Sequence, residues 1–150
     1  MDDTDRRILH LLQRDASLTA DALGRALGLS ASQAGRRRAR LEGTGVVRAT
    51  VVRLDPAQLG LDVQAFVQVQ MTSHAPVRAR AFLQLLEAEP RVASVWTMTG
   101  EADYLLRVWC RDLSSLNDLV HRVLLPHDAV ARVQSQIVMD QPKRDSPLPV

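Results

Sequence analysis

The chain has a single cysteine, Cys110, in 150 residues. A lone thiol excludes a disulfide framework and the paired CxxC spacing of a zinc site. The four histidines, His10, His74, His121 and His127, are scattered, with no HxxxH or HxxH pair. Neither a metal centre nor His-based catalysis is supported, so no cofactor and no metal are expected. Aromatic residues make up only 3% of the chain, and none falls in the first sixty positions. That absence argues against a stacking platform for single-stranded nucleic acid in the N-terminal part. No apolar run reaches transmembrane length, and the opening MDDTDRR is acidic and lacks a signal-peptide core. The expectation is a soluble, cytoplasmic protein without a membrane partner.

A large charge excess is missing too: 19 Lys and Arg stand against 17 Asp and Glu. The distribution is uneven, however. Between Ser30 and Leu54 there are six Arg (Arg36, Arg37, Arg38, Arg40, Arg48 and Arg53) and one acid, Glu42. A phosphate-contacting face concentrates charge in this way. The competing reading, a solvated salt-laced helix, has few acids in this stretch to support it.

The basic run falls inside a recognisable pattern. Thr4 is placed to cap a helix from Asp5 to about Arg14, with Ile8, Leu9, Leu11 and Leu12 on its apolar face. Thr19 caps a second helix that turns Ala22, Leu23, Ala26 and Leu27 inward, and Gly28 ends it with positive φ. Ser30 caps a third helix, Ala31 to Glu42, stopped by Gly43 and Gly45. Two helices around a tight Gly-containing turn, the second one basic, describe a helix-turn-helix over residues 1–46. Ser32, Gln33 and Arg36 lie where a recognition helix reads base edges, with Ser30 at its start; Arg37 and Arg40 are assigned to phosphates. Double-stranded DNA is the expected partner.

Residues 47–60 read as a strand linker or β-hairpin wing, then a turn at Asp55-Pro56 and one helical turn to Gly60. Beyond Gly60 the hydrophobic period changes. Val63, Ala65, Val67, Val69 and Met71 alternate with polar residues and Phe66, giving a strand. A helix from Pro76 to about Ala88 follows, then strands at Val92–Thr99 and Tyr104–Cys110, a second helix ended by Pro126, and a strand from Val130 to Met139. The order βαββαβ over residues 61–139 is ferredoxin-like, so the fold class is α+β, a winged helix-turn-helix plus a ferredoxin-like domain. Residues 140–150, with three prolines, read as a flexible tail. Alternation puts Phe66, Trp96, Met98, Leu105 and Trp109 on the sheet face away from the helices, among Gln64, Gln68, Gln70 and Arg107. Such a face asks for a partner surface, and Phe66, Trp96 and Trp109 are the expected dimer contacts. A parity error of one residue would instead bury both Trp in the core.

Together these features resemble the Lrp/AsnC (feast/famine) regulators. The resemblance covers Asp3 to Met139. It rests on Asp5-Arg6-Arg7-Ile8-Leu9 with Leu12-Gln13-Arg14-Asp15, on Gly28-Leu29-Ser30, and on Arg36-Arg37 with Arg40-Leu41-Glu42. It continues in Gly45-Val46-Val47, Leu54-Asp55-Pro56, Leu59-Gly60, Thr99-Gly100-Glu101-Ala102-Asp103-Tyr104-Leu105-Leu106 and Leu125-Pro126. It implies a DNA-binding transcription regulator that is not an enzyme. It also implies dimers through the C-terminal sheets, assemblies up to an octamer, and a small effector, usually an amino acid, near the loop Gly100 to Asp103. The effector residues taken from it are Met98, Gly100, Glu101, Ala102, Asp103, Gln134 and Ser135. A Gly turn exposes backbone donors for a carboxylate, Asp103 suits an ammonium, and Ala102, where relatives carry a ring, suggests room for a bulkier apolar side chain. Ala34, Gly35 and Arg38 depart from the usual recognition helix, and Gly35 costs roughly 1 kcal/mol of helix propensity. The alternative of the same architecture is a siroheme-decarboxylase-like enzyme, which needs a tetrapyrrole pocket and no DNA-reading helix. An RNA-recognition fold shares the strand order, but Tyr104 to Trp109 lacks its Gly-aromatic pattern.

Overall fold

The computed structural model describes all residues except 73, 74 and 145, so His74 lies outside the described residues. The chain forms two units, Met1–Arg53 with Pro142–Val150, and Leu54–Gln141.

The first unit is three helices, α1 (Asp3–Arg14), α2 (Ala20–Leu27) and α3 (Ala31–Gly43). Helix α1 begins before the expected Thr4 cap. Asp2 accepts from the Asp5 amide at 2.8 Å and Asp5 accepts from the Asp2 amide at 3.1 Å. This reciprocal box satisfies two donors at once and sets two acids at the positive end of the helix dipole, which outcompetes a single Thr hydroxyl. Thr19 and Ser30 cap α2 and α3 as expected, and Gly28 ends α2 at φ 69°. Ile8, Leu9 and Leu41 form the small core, with Leu12, Leu27 and Val47 against it. The turn between α2 and α3 depends on Gly24 as well. A Cβ there would stand 2.7 Å from the Leu29 carbonyl oxygen. Ala34 is fully buried, and a Cβ on Gly35 would meet the Ala20 Cβ at 3.4 Å, so small residues on α3 match a close approach of α2.

The stretch expected as strand or wing, Val46 to Leu54, makes no ladder among the described residues. Val51, Val52 and Leu54 are exposed. A strand needs a neighbour to satisfy its backbone, and periodicity cannot supply one. The tail, read from sequence as flexible, meets α1 at Leu148. Gln13 donates to the Leu148 carbonyl at 3.2 Å and accepts from the Leu148 amide at 2.6 Å, a two-way bond that fastens the tail to α1.

The second unit is β1 (Val63–Met71), α4 (Pro76–Ala88), β2 (Val92–Thr97), β3 (Tyr104–Cys110), α5 (Leu113–Asp118) and β4 (Val130–Ile137). A single 3₁₀ turn, Ala57–Leu59, precedes β1. Helix α5 runs on into a wider π-helical segment, Leu119–Leu124, and strands β2 and β4 stop two residues short of expectation. The sheet order is β2-β3-β1-β4, all antiparallel, the ferredoxin-like arrangement. Ala65, Val67, Val69, Leu106 and Val108 face the helices and are fully buried, with Phe82, Leu86 and Leu119. The expected parity therefore holds, and the tryptophans are not core. Phe66, Leu105 and Trp109 lie half-buried on the opposite face, where Trp96 is 43% exposed.

Candidate nucleic-acid interface and effector bay

On α3 the arginines divide. Arg36 is exposed and bonds only weakly to its own helix, its Nε donating to the Ser32 carbonyl at 3.4 Å. Ser32 and Gln33 are exposed beside it. Gln33 Oε1 accepts from the Ser30 amide at 3.0 Å, and the Ser30 hydroxyl accepts from the Gln33 amide at 3.2 Å, so both residues first serve as a capping box. Leu29, Gln33, Arg36, Arg37 and Arg40 line one concave surface patch.

Arg37 and Arg40, assigned to phosphates from sequence, are tied to α1. Arg37 donates to Asp2 at 2.7 Å and to Asp5 at 2.8 Å; Arg40 donates to both Asp5 oxygens at 2.7 Å. Asp5 is only 1% exposed. Burial pushes its carboxyl up, but the Asp2 amide, Arg37 and Arg40 outweigh that and hold it below its ordinary value. The hydrogen bond from Arg37, before the Asp5 amide, likewise lowers Asp2, and the two carboxylates raise Arg37. The acids that local sequence denied to a salt-laced helix arrive from 32 and 35 residues away. Arg38 closes the other side, donating to Glu42 at 2.8 Å and to the Leu18 carbonyl at 2.7 Å. Of the four arginines, Arg36 is left with its guanidinium unspent on an ion pair among the described residues.

In the second unit, Glu101, Ala102 and Gln134 come together as expected. They line a shallow, open bay with Gln68, Gln70 and Arg132, three residues the sequence did not assign to it. The register explains the gathering. Gln68 stands opposite Gln134 and Gln70 opposite Arg132, and opposed residues in an antiparallel pair share a face. Ser135 is set apart for the same reason. It stands opposite Val67, whose side chain is on the helix-covered face, so Ser135 and Gln134 point to opposite sides. Met98, Gly100 and Asp103 do not line the bay. Asp103 instead anchors the loop: its carboxylate accepts from the Met71 amide at 2.7 Å and its amide donates to the Val69 carbonyl at 2.9 Å. Gly100, at φ 110°, makes the turn that carries Glu101 and Ala102 to the bay. Among the described residues no group of His, Cys, Asp or Glu converges as a metal site, and no helix is long and apolar enough to cross a membrane.

Residues 1–42 match the AsnC-type helix-turn-helix domain and residues 64–148 match the Lrp/AsnC ligand binding domain. The chain belongs to the Lrp/AsnC family of DNA-binding transcriptional regulators. Within the Lrp/AsnC family it is 33% identical over 150 residues to the DNA-binding transcriptional activator DecR of Escherichia coli K12, covering 100% of this chain and 99% of that one. It is 33% identical to the glutamate uptake regulatory protein of Zymomonas mobilis, covering 100% of this chain and 91% of that one. The structure of the transcriptional regulator NMB0573 from Neisseria meningitidis, solved as a complex with L-Met, superposes with a TM-score of 0.94 at 34% identity, over 99% of this chain and 96% of that one. These Lrp/AsnC relatives support the regulator reading over the decarboxylase alternative.

Proposed function

We propose that this regulator reads duplex DNA as a homodimer, with α3 in the major groove, and that an amino acid bound at the bay of Glu101, Ala102 and Gln134 alters DNA binding or assembly. The exposed row Ser32, Gln33 and Arg36 on a capped helix carries the reading. Arg36 has a guanidinium available for guanine O6/N7, the commonest specific contact. Arg37 and Arg40 act first as struts that fix α3 against α1, and their remaining donors reach phosphate. Duplex DNA as partner makes the protein a cytoplasmic one. No enzymatic step is assigned to it.

Dimerisation through Phe66, Trp96 and Trp109 rests on the open sheet face. Phe66 and Trp109 are half-buried there and Trp96 is 43% exposed, an apolar patch that a second copy would cover. Octamers follow from the family resemblance. The effector proposal draws on the Neisseria relative's L-Met complex.

The deciding experiment is a gel-shift titration at fixed salt on footprinted genomic DNA. Arg36→Ala is expected to weaken specific binding at least tenfold while helicity is unchanged. Undiminished specific binding would remove α3 as the reading helix. Sedimentation at micromolar concentration tests the dimer, and a 150-residue monomer would refute it.

A further inference from the structure

We propose that Gln33 reads the major groove as a donor only, selecting a keto base, guanine or thymine, at one base pair of each half-site. This deepens the DNA-reading proposal above and rests on it. A glutamine with its whole amide free pairs with adenine, accepting from N6 and donating to N7 together. The Gln33 amide is not free. Its Oε1 accepts from the Ser30 amide at 3.0 Å and from the Ser30 hydroxyl at 3.1 Å. Only the oxygen of a carboxamide accepts from a backbone N–H, so the group faces one way. Turned over, it would set its NH2 against the Ser30 N–H and leave that helix-end donor unpaired.

The outward atom is therefore Nε2. It makes no hydrogen bond among the described residues, and Gln33 is exposed. The Ser30 hydroxyl is engaged as well, because it also accepts from the Gln33 amide at 3.2 Å. Around Gln33 the concave patch is completed by Leu29, Arg36, Arg37 and Arg40, and arginine only donates. The four bases sort against such a surface. Guanine shows two acceptors, O6 and N7, and thymine shows O4. Adenine and cytosine each turn an exocyclic amine, a donor, toward the groove. At cytosine the outward NH2 meets another donor. At adenine N7 still accepts, but N6 gains nothing from an amide whose oxygen Ser30 holds. Gln33 and Arg36 are three residues apart, the spacing at which a helix in the groove contacts successive bases. The keto base thus adjoins the guanine proposed for Arg36.

Selection of binding sites from random duplexes by the full-length protein, repeated with Gln33→Glu, tests this. In Gln33→Glu one carboxylate oxygen still accepts from the Ser30 amide, so the capping box is kept. The other oxygen turns the outward group from donor to acceptor, which suits cytosine N4. The parent is expected to select guanine or thymine at one base pair, at least tenfold over adenine and cytosine. Gln33→Glu is expected to invert that position alone toward cytosine or adenine, at least tenfold in the affinity ratio, with helicity by circular dichroism unchanged. The ratio is the readout because an added negative charge weakens binding to every duplex. Adenine or cytosine in the parent at the position that Gln33→Glu alters would overturn the proposal. So would a site that Arg36→Ala alters and Gln33→Glu does not; both outcomes leave α3 as the reading helix. A site that neither substitution alters would overturn the DNA-reading proposal with it.

Discussion

The two units bury their cores by different means. In the first, three buried residues, Ile8, Leu9 and Leu41, form the hydrophobic cluster, and one buried carboxylate, Asp5, gathers α1 and α3 through Arg37 and Arg40. In the second, fifteen buried residues form the cluster, with Phe82 in aromatic contact with Tyr104 at 5.7 Å and His127 at 5.3 Å. A small three-helix body has little apolar area to bury, so directed charge contacts matter more there. A sheet covered by two helices has enough area for packing to dominate. The ion pairs also have a functional consequence. They hold α3 against α1 and leave Arg36 outside any ion pair among the described residues, as the proposed base contact requires.

The largest break in this comparison should come from Phe82→Ala. Emptying a fully buried aromatic site is expected to cost about 3–5 kcal/mol, confined to the second unit. Both Trp lie in that unit, so fluorescence should report early unfolding in denaturant, ahead of the helical signal of the first unit. Coincident loss of both signals at the same lowered midpoint would show that the units unfold together.

Arg37→Ala should do the reverse. Removing a charged hydrogen-bond partner from buried Asp5, with Arg40 still present, is expected to cost the first unit about 1.5–3 kcal/mol. The helical signal should melt earlier while Trp fluorescence stays put. Arg36→Ala at the neighbouring position should leave both melting curves unchanged and lower DNA affinity alone. Equal destabilisation by the two would erase the division of labour on α3.

Acid sharpens the contrast further. The Asp5 carboxyl is lowered in the folded state from its ordinary 3.8, so the stability it contributes is present in full above that value. It is lost as pH falls through the lower folded value. The first unit should therefore weaken progressively below about pH 3.8, and Asp5→Asn should flatten that dependence. Urea midpoints followed by circular dichroism from pH 5 to pH 2.5 give the test, and a variant as acid-sensitive as the parent would point to other carboxylates. The smallest effect is expected from Gln13→Ala. Loss of its two-way bond to Leu148 should cost about 0.5–1 kcal/mol and raise amide exchange in the tail, because both bonds are exposed. Unchanged exchange at Leu148 would mean that the tail is held by something else.

Much of the architecture was legible because it depends on local periodicity and capping. The 2-residue alternation of β1 and β3, the caps at Thr19 and Ser30 and the turn at Gly28 all appear where their neighbours in sequence put them. The bay was half legible. Of the effector residues expected from sequence, Glu101, Ala102 and Gln134 line the bay, while the presence of Gln68, Gln70 and Arg132 beside them required the β1–β4 register, and Ser135 was separated from Gln134 by the pleat. The missed signal was present in principle, since Gln68 and Gln70 already belonged to the open face by alternation. Asp103 illustrates a different failure. A carboxylate beside a Gly turn suits a ligand ammonium, yet the Met71 amide lies within reach and claims it.

The sequence by itself determined the two-part order of elements, the alternation of β1 and the basic character of α3, because these follow from chemistry within a few residues along the chain. Only the tertiary structure decided which arginine is free and which is a strut, which polar residues share the bay, and that Leu148 fastens to Gln13. Those outcomes depend on partners tens of residues away or more, and the backbone brings them within hydrogen-bond distance only once the units have folded.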